Sequence, residues 1–479
     1  MIDKLSLKIF YAFGLLFLLL IIAGIFFDNL YFALIPLAVL LIWLLLNQTK
    51  AMLFFMVFCV PLSIQINNIG GGFGMSFPLE PISIVVFLGL LAKVIDGATF
   101  DKNVLKNTLS IIISLIIFWD IISTVNSSMP MVSFKFVLSR IWYISIFYLL
   151  FSEFFKNRNA IIKFIWLLTI GIFILSIYTL YNHSKGGFTR GFAYAAMQPL
   201  LPDHGMYAAL VAFIIPPLFI LSIWGFYLKQ NIFLRVMAFS LALFLTLAVI
   251  LSYTRAAWLS LIGSAAITIF ILLGFRFRTF LTGLIILVSV YFYVQNDIQT
   301  ELSRNKQGSD DDIEQHVSSI TNVSTDPSNL ERLNRWRCAY RMFEERPILG
   351  WGPGTYVFQY APFQVSSELT IISTHAGDLG NVHSEYLRPL SETGLPGFIL
   401  WVLMIVYSLY LGFKIFRKSK SKEIKYLSLA VVSGLCTYFI HGVVNNYSEF
   451  DKLAVPMWGF LAALVSLNSF HLKNDMAEV

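Results

Sequence analysis

Long uncharged apolar runs recur along this chain, and they restrict its fold more than any other feature. Leu30–Leu46, Phe164–Leu180, Val236–Leu251 and Leu281–Val294 contain no charged residue. Each approaches the ~20 residues that a helix needs to cross a hydrocarbon core of ~30 Å. Backbone groups in lipid must bond internally, and these runs lack the alternation of a barrel strand. The expected fold is therefore an all-α polytopic membrane protein with about 12–14 transmembrane helices. Charged residues make up only 13% of the chain, against roughly a quarter in a soluble domain.

The first run, Ile9–Phe27, follows Lys4 and Lys8. It is long for a signal sequence and meets no small-residue cleavage site before Asp28, so it is expected to remain as a membrane helix. Cys59 and Cys436 lie in apolar runs and Cys338 in a polar segment. They offer neither a disulfide framework nor metal spacing. A phosphate-cradling Walker loop, a His-Glu-x-x-His motif and a Cys/His cluster are all missing, so no cofactor and no metal are expected.

The formal charge of +7 is unevenly spread. With a cytoplasmic amino terminus, one set of loops carries Lys102, Lys106, Lys156, Arg158, Lys229, Arg235, Arg276 and Arg278. The same set ends with Lys414, Arg417, Lys418, Lys420, Lys422 and Lys425. The opposite short loops hold fewer: Lys135, Arg140, Lys185, Arg190 and, near the end, Lys452. The basic excess is therefore a topology signal rather than a nucleic-acid footprint. The outer cations need another explanation.

Four segments follow: amino-terminal helices over 1–181, central helices over 182–294, a large outer loop over 295–389, and carboxy-terminal helices over 390–479. Structureless loops as long as the third are uncommon unless functional. Its first part, Ser303–Asp326, is polar and acidic. A helix is expected after Asp326-Pro327-Ser328, with Leu330, Leu333, Trp336, Tyr340 and Phe343 on one face, stopped by Pro347. Its opposite face displays Glu331, Arg332, Arg335, Arg337 and Arg341, so the helix should lie on the membrane or over the bundle. A Gly/Pro turn, Ile348-Leu-Gly-Trp-Gly-Pro-Gly-Thr355, follows, and then Asn381-Val-His-Ser-Glu-Tyr-Leu387.

Three outer positions carry candidates for chemistry. Arg255 lies between two apolar runs in Leu251-Ser-Tyr-Thr-Arg-Ala-Ala-Trp258. It either snorkels to headgroups or presents a fork of donors to phosphate oxygens. His383 sits at a helix mouth among Asn381, Ser384 and Glu385. It is either structural or, as a neutral imidazole, able to take a proton from a sugar hydroxyl. His375 competes with it from an ordinary loop context. The third position is Arg190–Tyr207, which holds Arg190, Asp203 and His204 before an apolar run with Pro216-Pro217. Outside chemistry without ATP requires an activated substrate, and a lipid pyrophosphate sugar carries its own leaving group.

At these residues the chain resembles the O-antigen ligase and O-antigen polymerase superfamily of bacterial membrane glycosyltransferases. Thr254-Arg255-Ala256-Ala257-Trp258 is similar to its Ser/Thr-Arg-Gly/Ala-Ala-Trp motif. Arg332 and Trp336, followed by Arg346-Pro-Ile-Leu-Gly-Trp-Gly-Pro-Gly354, resemble its second motif. His383-Ser-Glu-Tyr-Leu387 with Glu392-Thr-Gly-Leu-Pro-Gly397 resembles its third. The motifs span roughly Arg190 to Trp458, and the amino-terminal half is similar only as a series of helices. The family's Asn after the histidine is Ser384 here, and Asn381 lies two residues before the histidine.

The resemblance implies a C-type glycosyltransferase architecture, with an undecaprenyl-pyrophosphate-linked glycan as donor and no metal. It implies that Arg255, Arg190 and Arg332 hold the pyrophosphate. His383 then activates an acceptor hydroxyl, supported by Asn381, Ser384, Tyr386 and Glu392, with inversion at the anomeric carbon. The acceptor is lipid A–core in ligases, another lipid-linked repeat in polymerases, and a protein Ser or Thr in some relatives. A lipid-linked sugar flippase is the reading from another class. Transporters tend to show paired repeats and broken helices at the midplane, whereas this chain has no repeat and gathers its polar candidates at one face.

Overall fold

A computed structural model describes residues 48–66, 75–286, 327–370, 372–374 and 380–473, with a few isolated positions beside them. Most of Ile9–Phe27, all of Leu30–Leu46, the acidic stretch Ser303–Asp326 and His375 lie outside the described residues. The protein is an all-α polytopic membrane protein. Nine helices among the described residues are long and apolar enough to span a bilayer.

The first helices are α1 (Thr49–Leu62), α2 (Leu79–Ile95), α3 (Thr108–Val125), α4 (Pro130–Phe154) and α5 (Arg158–Ser184). Next come α6 (His204–Leu228), α7 (Ile232–Ile250), α8 (Arg255–Leu272) and the short α9 (Phe277–Ile286). The loop helix α10 covers Pro327–Glu345. The last three are α11 (Leu387–Lys418), α12 (Lys422–His441) and α13 (Asp451–Leu472). A two-stranded hairpin, Ile64–Ile66 with Met75–Phe77, joins α1 to α2.

Polar side chains at the membrane boundary start several spans. The carboxamide or carboxylate oxygens of Asn107, Asn157, Asp203 and Asn231 accept from backbone N–H groups in the first turns of α3, α5, α6 and α7, at 2.8–3.1 Å. Those donors have no intrahelical partner, so the caps fix where each span begins. The apolar windows of α6, α12 and α13 are 83–89% buried, whereas those of α3, α7 and α8 are only 28–33% buried. The first three form the centre and the others the rim. On α7 the exposed stripe Val236, Phe239, Leu243, Leu247 and Ile250 is the lipid-facing side, since an apolar face outside the core requires an apolar solvent.

Short connections make neighbouring spans antiparallel, so the turns 126–129, 185–203, 251–254 and 442–450 gather at one end with the described loop residues 327–370 and 380–386. Contacts confirm the grouping. Ser128 N donates to Trp351 O at 3.0 Å, Tyr253 Oη to Phe188 O at 3.0 Å, and Glu385 N to Gly442 O at 2.8 Å. Three cations expected in outer loops are instead inside helices. Lys135 and Arg140 belong to α4, and Arg140 pairs with buried Asp120 at 2.5 Å. Lys452, in α13, donates from a buried Nζ to Val60 O and Ser63 O.

The loop helix α10 forms as expected from Pro327 and ends before Pro347, but its faces are rearranged. Glu331, Asn334, Arg335, Cys338, Ala339 and Met342 are buried, while Tyr340 is half exposed. The loop folds back over the polar side. Glu331 takes Arg335 Nε at 2.5 Å and accepts from Thr370 and Ser373, and Arg341 chelates Glu368 with two bonds of 2.7 Å.

The Gly/Pro turn fastens the loop to the bundle. α11 breaks at Gly394, where φ is +69°, and a Cβ there would lie 2.2 Å from Ile348 O. Gly350, at φ +66°, would likewise place a Cβ 2.3 Å from the Glu392 carbonyl carbon. Only glycine lets the two backbones approach this closely. Trp351 N and Gly352 N then donate to Ser391 O and Glu392 O at 3.1 and 2.8 Å.

Candidate active site

A cavity of about 370 Å³ opens where the loop meets the helix ends. Arg190, Arg255 and Arg332 all line it, although they are up to 142 residues apart (332 − 190). The other lining residues include Tyr194, His204, Tyr253, Thr254, Ser328, Asn329, Trp336 and Val444.

Each arginine is placed by local geometry. Arg255 opens α8 after a four-residue turn in which Tyr253 adopts φ +52°. Thr254 Oγ1 donates to His204 O at 3.3 Å, and Trp258 Nε1 reaches back to Val249 O at 3.0 Å. The Thr-Arg-Ala-Ala-Trp motif thus holds a tight hairpin together while pointing its arginine at the cavity. A cation in the first turn of a helix opposes the macrodipole, an arrangement that suits an anion bound between them. Arg332 belongs to the second turn of α10, where its Nη1 donates to Ser328 Oγ at 3.0 Å and Asn329 Oδ1 at 3.3 Å. Arg190 Nε donates to Tyr194 Oη at 3.1 Å, and the Tyr194 ring stands edge-on to His204 with centroids 4.4 Å apart. Asp203 caps α6, and burial raises its carboxyl above the ordinary value.

His383 sits beside this cavity rather than on its wall, and Trp336 bridges the two by donating from Nε1 to His383 O at 3.2 Å. Its backbone is left-handed, at φ +53°. Such a conformation costs a non-glycine residue about 1–3 kcal/mol and persists where the surroundings enforce it. Burial pushes the imidazole down to about 4, the Arg332 charge adds to the fall, and a hydrogen bond with Asn445 opposes it.

Asn381, Ser384, Tyr386 and Glu392 do not line the cavity. Asn381 Oδ1 accepts from Asn446 Nδ2 at 2.7 Å, and Tyr386 Oη donates to Phe439 O at 3.0 Å. Ser384 Oγ accepts from Tyr386 N and Leu387 N at 3.3 Å, starting α11. Glu392 Oε1 accepts from Tyr356 N at 3.1 Å and so anchors the glycine turn. These four secure the His383 segment and the loop to the bundle. Glu385 is engaged by α12 and the turn that follows it. Its Oε1 accepts from Tyr438 Oη, Tyr447 N and Ser448 N, all at 2.6 Å.

Residues 237–402 match the family model described as O-antigen ligase. That stretch, about a third of the chain, is similar to the O-antigen ligase family. Members of that family are glycosyltransferase-like enzymes. No curated protein matches the chain. Arg255, Arg332 and His383 fall inside the matched residues, and Arg190 lies before them.

Sequence reading did not single out Tyr194, Tyr253, Ser328 and Asn329 on the cavity wall, nor His441, Asn445 and Tyr447 around the wall residue Val444. The last three sit in His441-Gly-Val-Val-Asn-Asn-Tyr447. A polar turn holding a histidine and two asparagines between two apolar spans was the available signal. His204, the weaker histidine of the third candidate region, does line the cavity.

Proposed function

We propose that this protein is an O-antigen ligase-type glycosyltransferase. It moves a glycan from an undecaprenyl-pyrophosphate donor to a hydroxyl of lipid A–core, at the periplasmic face of the bacterial inner membrane. The observation that carries this reading is the convergence of Arg190, Arg255 and Arg332 on one cavity. Three guanidinium groups and the amino-terminal turns of α8 and α10 suit a diphosphate whose negative charge grows as the glycosyl bond breaks. The basic end of the bundle corresponds to the cytoplasm, which turns the cavity outward.

In this reading the acceptor oxygen attacks the anomeric carbon while its proton passes to His383. The bond from that carbon to the pyrophosphate oxygen breaks, and undecaprenyl pyrophosphate departs with its charge held by the arginines. A single displacement inverts the anomeric centre. With its pKa near 4, the His383 imidazole is neutral at pH 7 and able to accept a proton. A seated diphosphate offsets the Arg332 charge and raises the basicity of His383 when the donor is bound.

The test is the glycolipid that accumulates in a strain lacking the gene. Full-length polymer on undecaprenyl pyrophosphate is expected. Single repeats would indicate a polymerase, and glycolipid retained on the cytoplasmic leaflet a flippase.

A further inference from the structure

A second cavity, of about 470 Å³, lies at the opposite end of the bundle, where α1 begins and α4 turns into α5. Lys50, Lys156 and Lys163 line it beside Phe54, Phe154 and Ala160. We infer that this cavity binds the phosphodiester headgroup of an anionic membrane phospholipid, with Lys50 and Lys163 on the phosphate and the acyl chains along α5. The inference is independent of the proposed transfer reaction.

The three lysines are not equivalent. Lys156 is already compensated, since its Nζ lies 2.6 Å from Glu153 Oε2 and 2.9 Å from Asp101 Oδ2. Glu153, the carboxylate on the cavity wall, also accepts from Asp101 N at 2.9 Å through its other oxygen. Lys50 and Lys163 have no carboxylate partner among the described residues, and aromatic rings hold them instead. Lys163 Nζ sits 4.6 Å from the Phe54 ring centroid, and Lys50 Nζ 5.8 Å from that of Phe154. Each ammonium thus reaches across to a ring on a neighbouring helix. A ring face attracts the charge but leaves the ammonium N–H donors for oxygen atoms. Phe54 is itself buried and stands edge-on to Phe151, with centroids 5.9 Å apart, so the platform under Lys163 is already fixed. Asn157 and Asn159 also line the cavity. The Asn157 oxygen is committed to the cap of α5, and its amide nitrogen adds a donor.

Position selects a lipid over a soluble anion. Lys163 stands in the second turn of α5. Leu167, Ile170, Ile174 and Ile177 follow it at steps of four and three, which places them on the same helix face. The three isoleucines are exposed, and an exposed apolar stripe on a membrane span meets acyl chains. The face that carries the phosphate-binding lysine therefore continues directly into hydrocarbon. Basic pockets between spans at the headgroup level suit anionic lipids. A zwitterionic headgroup fits less well, because its ammonium needs a carboxylate and Glu153 is engaged by Lys156 and Asp101.

The test titrates full-length protein, purified in detergent, with phosphatidylglycerol, phosphatidylethanolamine or inorganic phosphate, and reads bound lipid by native mass spectrometry. Phosphatidylglycerol should bind at least about tenfold more tightly than phosphatidylethanolamine, and inorganic phosphate should not displace it. Lys50→Gln together with Lys163→Gln should weaken phosphatidylglycerol binding about thirtyfold, the worth of two lysines at a membrane surface. Lys418→Gln with Lys420→Gln, at the same end but outside the cavity, should change it by less than about twofold. Equal binding of the two lipids, undiminished binding by the Lys50 and Lys163 variant, or an equal loss in the Lys418 and Lys420 variant overturns the inference. Displacement of the lipid by inorganic phosphate would assign the cavity to a soluble anion and overturns it too. If the Lys50 and Lys163 variant does not accumulate, Lys50→Gln alone decides: about a fivefold loss is expected, and no change overturns it.

Discussion

At the end of the bundle away from the cavity, Lys102, Lys229, Arg276, Arg417, Lys418 and Lys420 are exposed in loops or last helical turns. At the cavity end the cations are fewer and nearly all engaged. Arg388 is buried between Glu385 and Glu449, Arg335 lies against Glu331, and Lys452 against backbone carbonyls. Arg190, Arg255 and Arg332 face the cavity. Exposed cations act through their number, since each interacts with the membrane field almost independently of its neighbours. Buried or cavity-lining cations act through position, because in a low-dielectric site direction and distance decide the energy. Outside the cavity lined by Lys50 and Lys163, cations at the first end are interchangeable, and those at the second are not.

The bluntest way to break this contrast is to ask which end faces out. A cysteine at exposed Glu345 should react with an impermeant thiol reagent in whole cells, and one at Lys420 should not. The reverse pattern removes the periplasmic site altogether. Next in size is His383→Ala, which should lower transfer by roughly 10²–10⁴-fold, the worth of a general base. Donor binding should persist in a lipid-pyrophosphate binding assay, and loss of binding with stability would mark a structural histidine.

Arg255→Lys keeps the charge but loses the planar fork, and should cost about tenfold or more in kcat/KM for the donor. Normal transfer at matched protein level would return Arg255 to a snorkelling role. The pH profile gives a smaller effect. A base whose pKa is held near 4 stays neutral well below the ordinary histidine range, so kcat/KM should be flat from pH 8 through 6.5. It should fall only as pH approaches about 4, where protonation removes the acceptor. Arg332→Gln should move that limb upward, because the positive charge that disfavours the imidazolium is gone. Last, the double substitution Lys418→Gln and Lys420→Gln should leave transfer within about twofold, given how little exposed charges contribute singly.

Much of the candidate site was legible in the sequence. Arg255, Arg332 and His383 stood out because charged and polar residues beside apolar runs are conspicuous and short motifs surround them. The helix over Pro327–Glu345 was legible from its capping and its stop at Pro347. Its buried face was not, because Glu331 and Arg335 read as a solvated stripe until Thr370, Ser373 and Tyr360 fold over them. Arg140 read as a loop cation for the same reason, since its partner Asp120 lies on a different helix.

The sequence by itself determined the solvent in which this chain folds, the helical form of its spans, and the polar residues that stand out beside them. Those properties follow from local hydropathy and charge, which act residue by residue. Tertiary structure alone decided that Arg190, Arg255 and Arg332 share one cavity, and that Glu385 is held by Tyr438, Tyr447 and Ser448. Each of these depends on contacts between segments dozens to well over a hundred residues apart. Such contacts are fixed by how helices pack and where backbones such as those at Gly350 and Gly394 can touch, and no local pattern encodes that pairing.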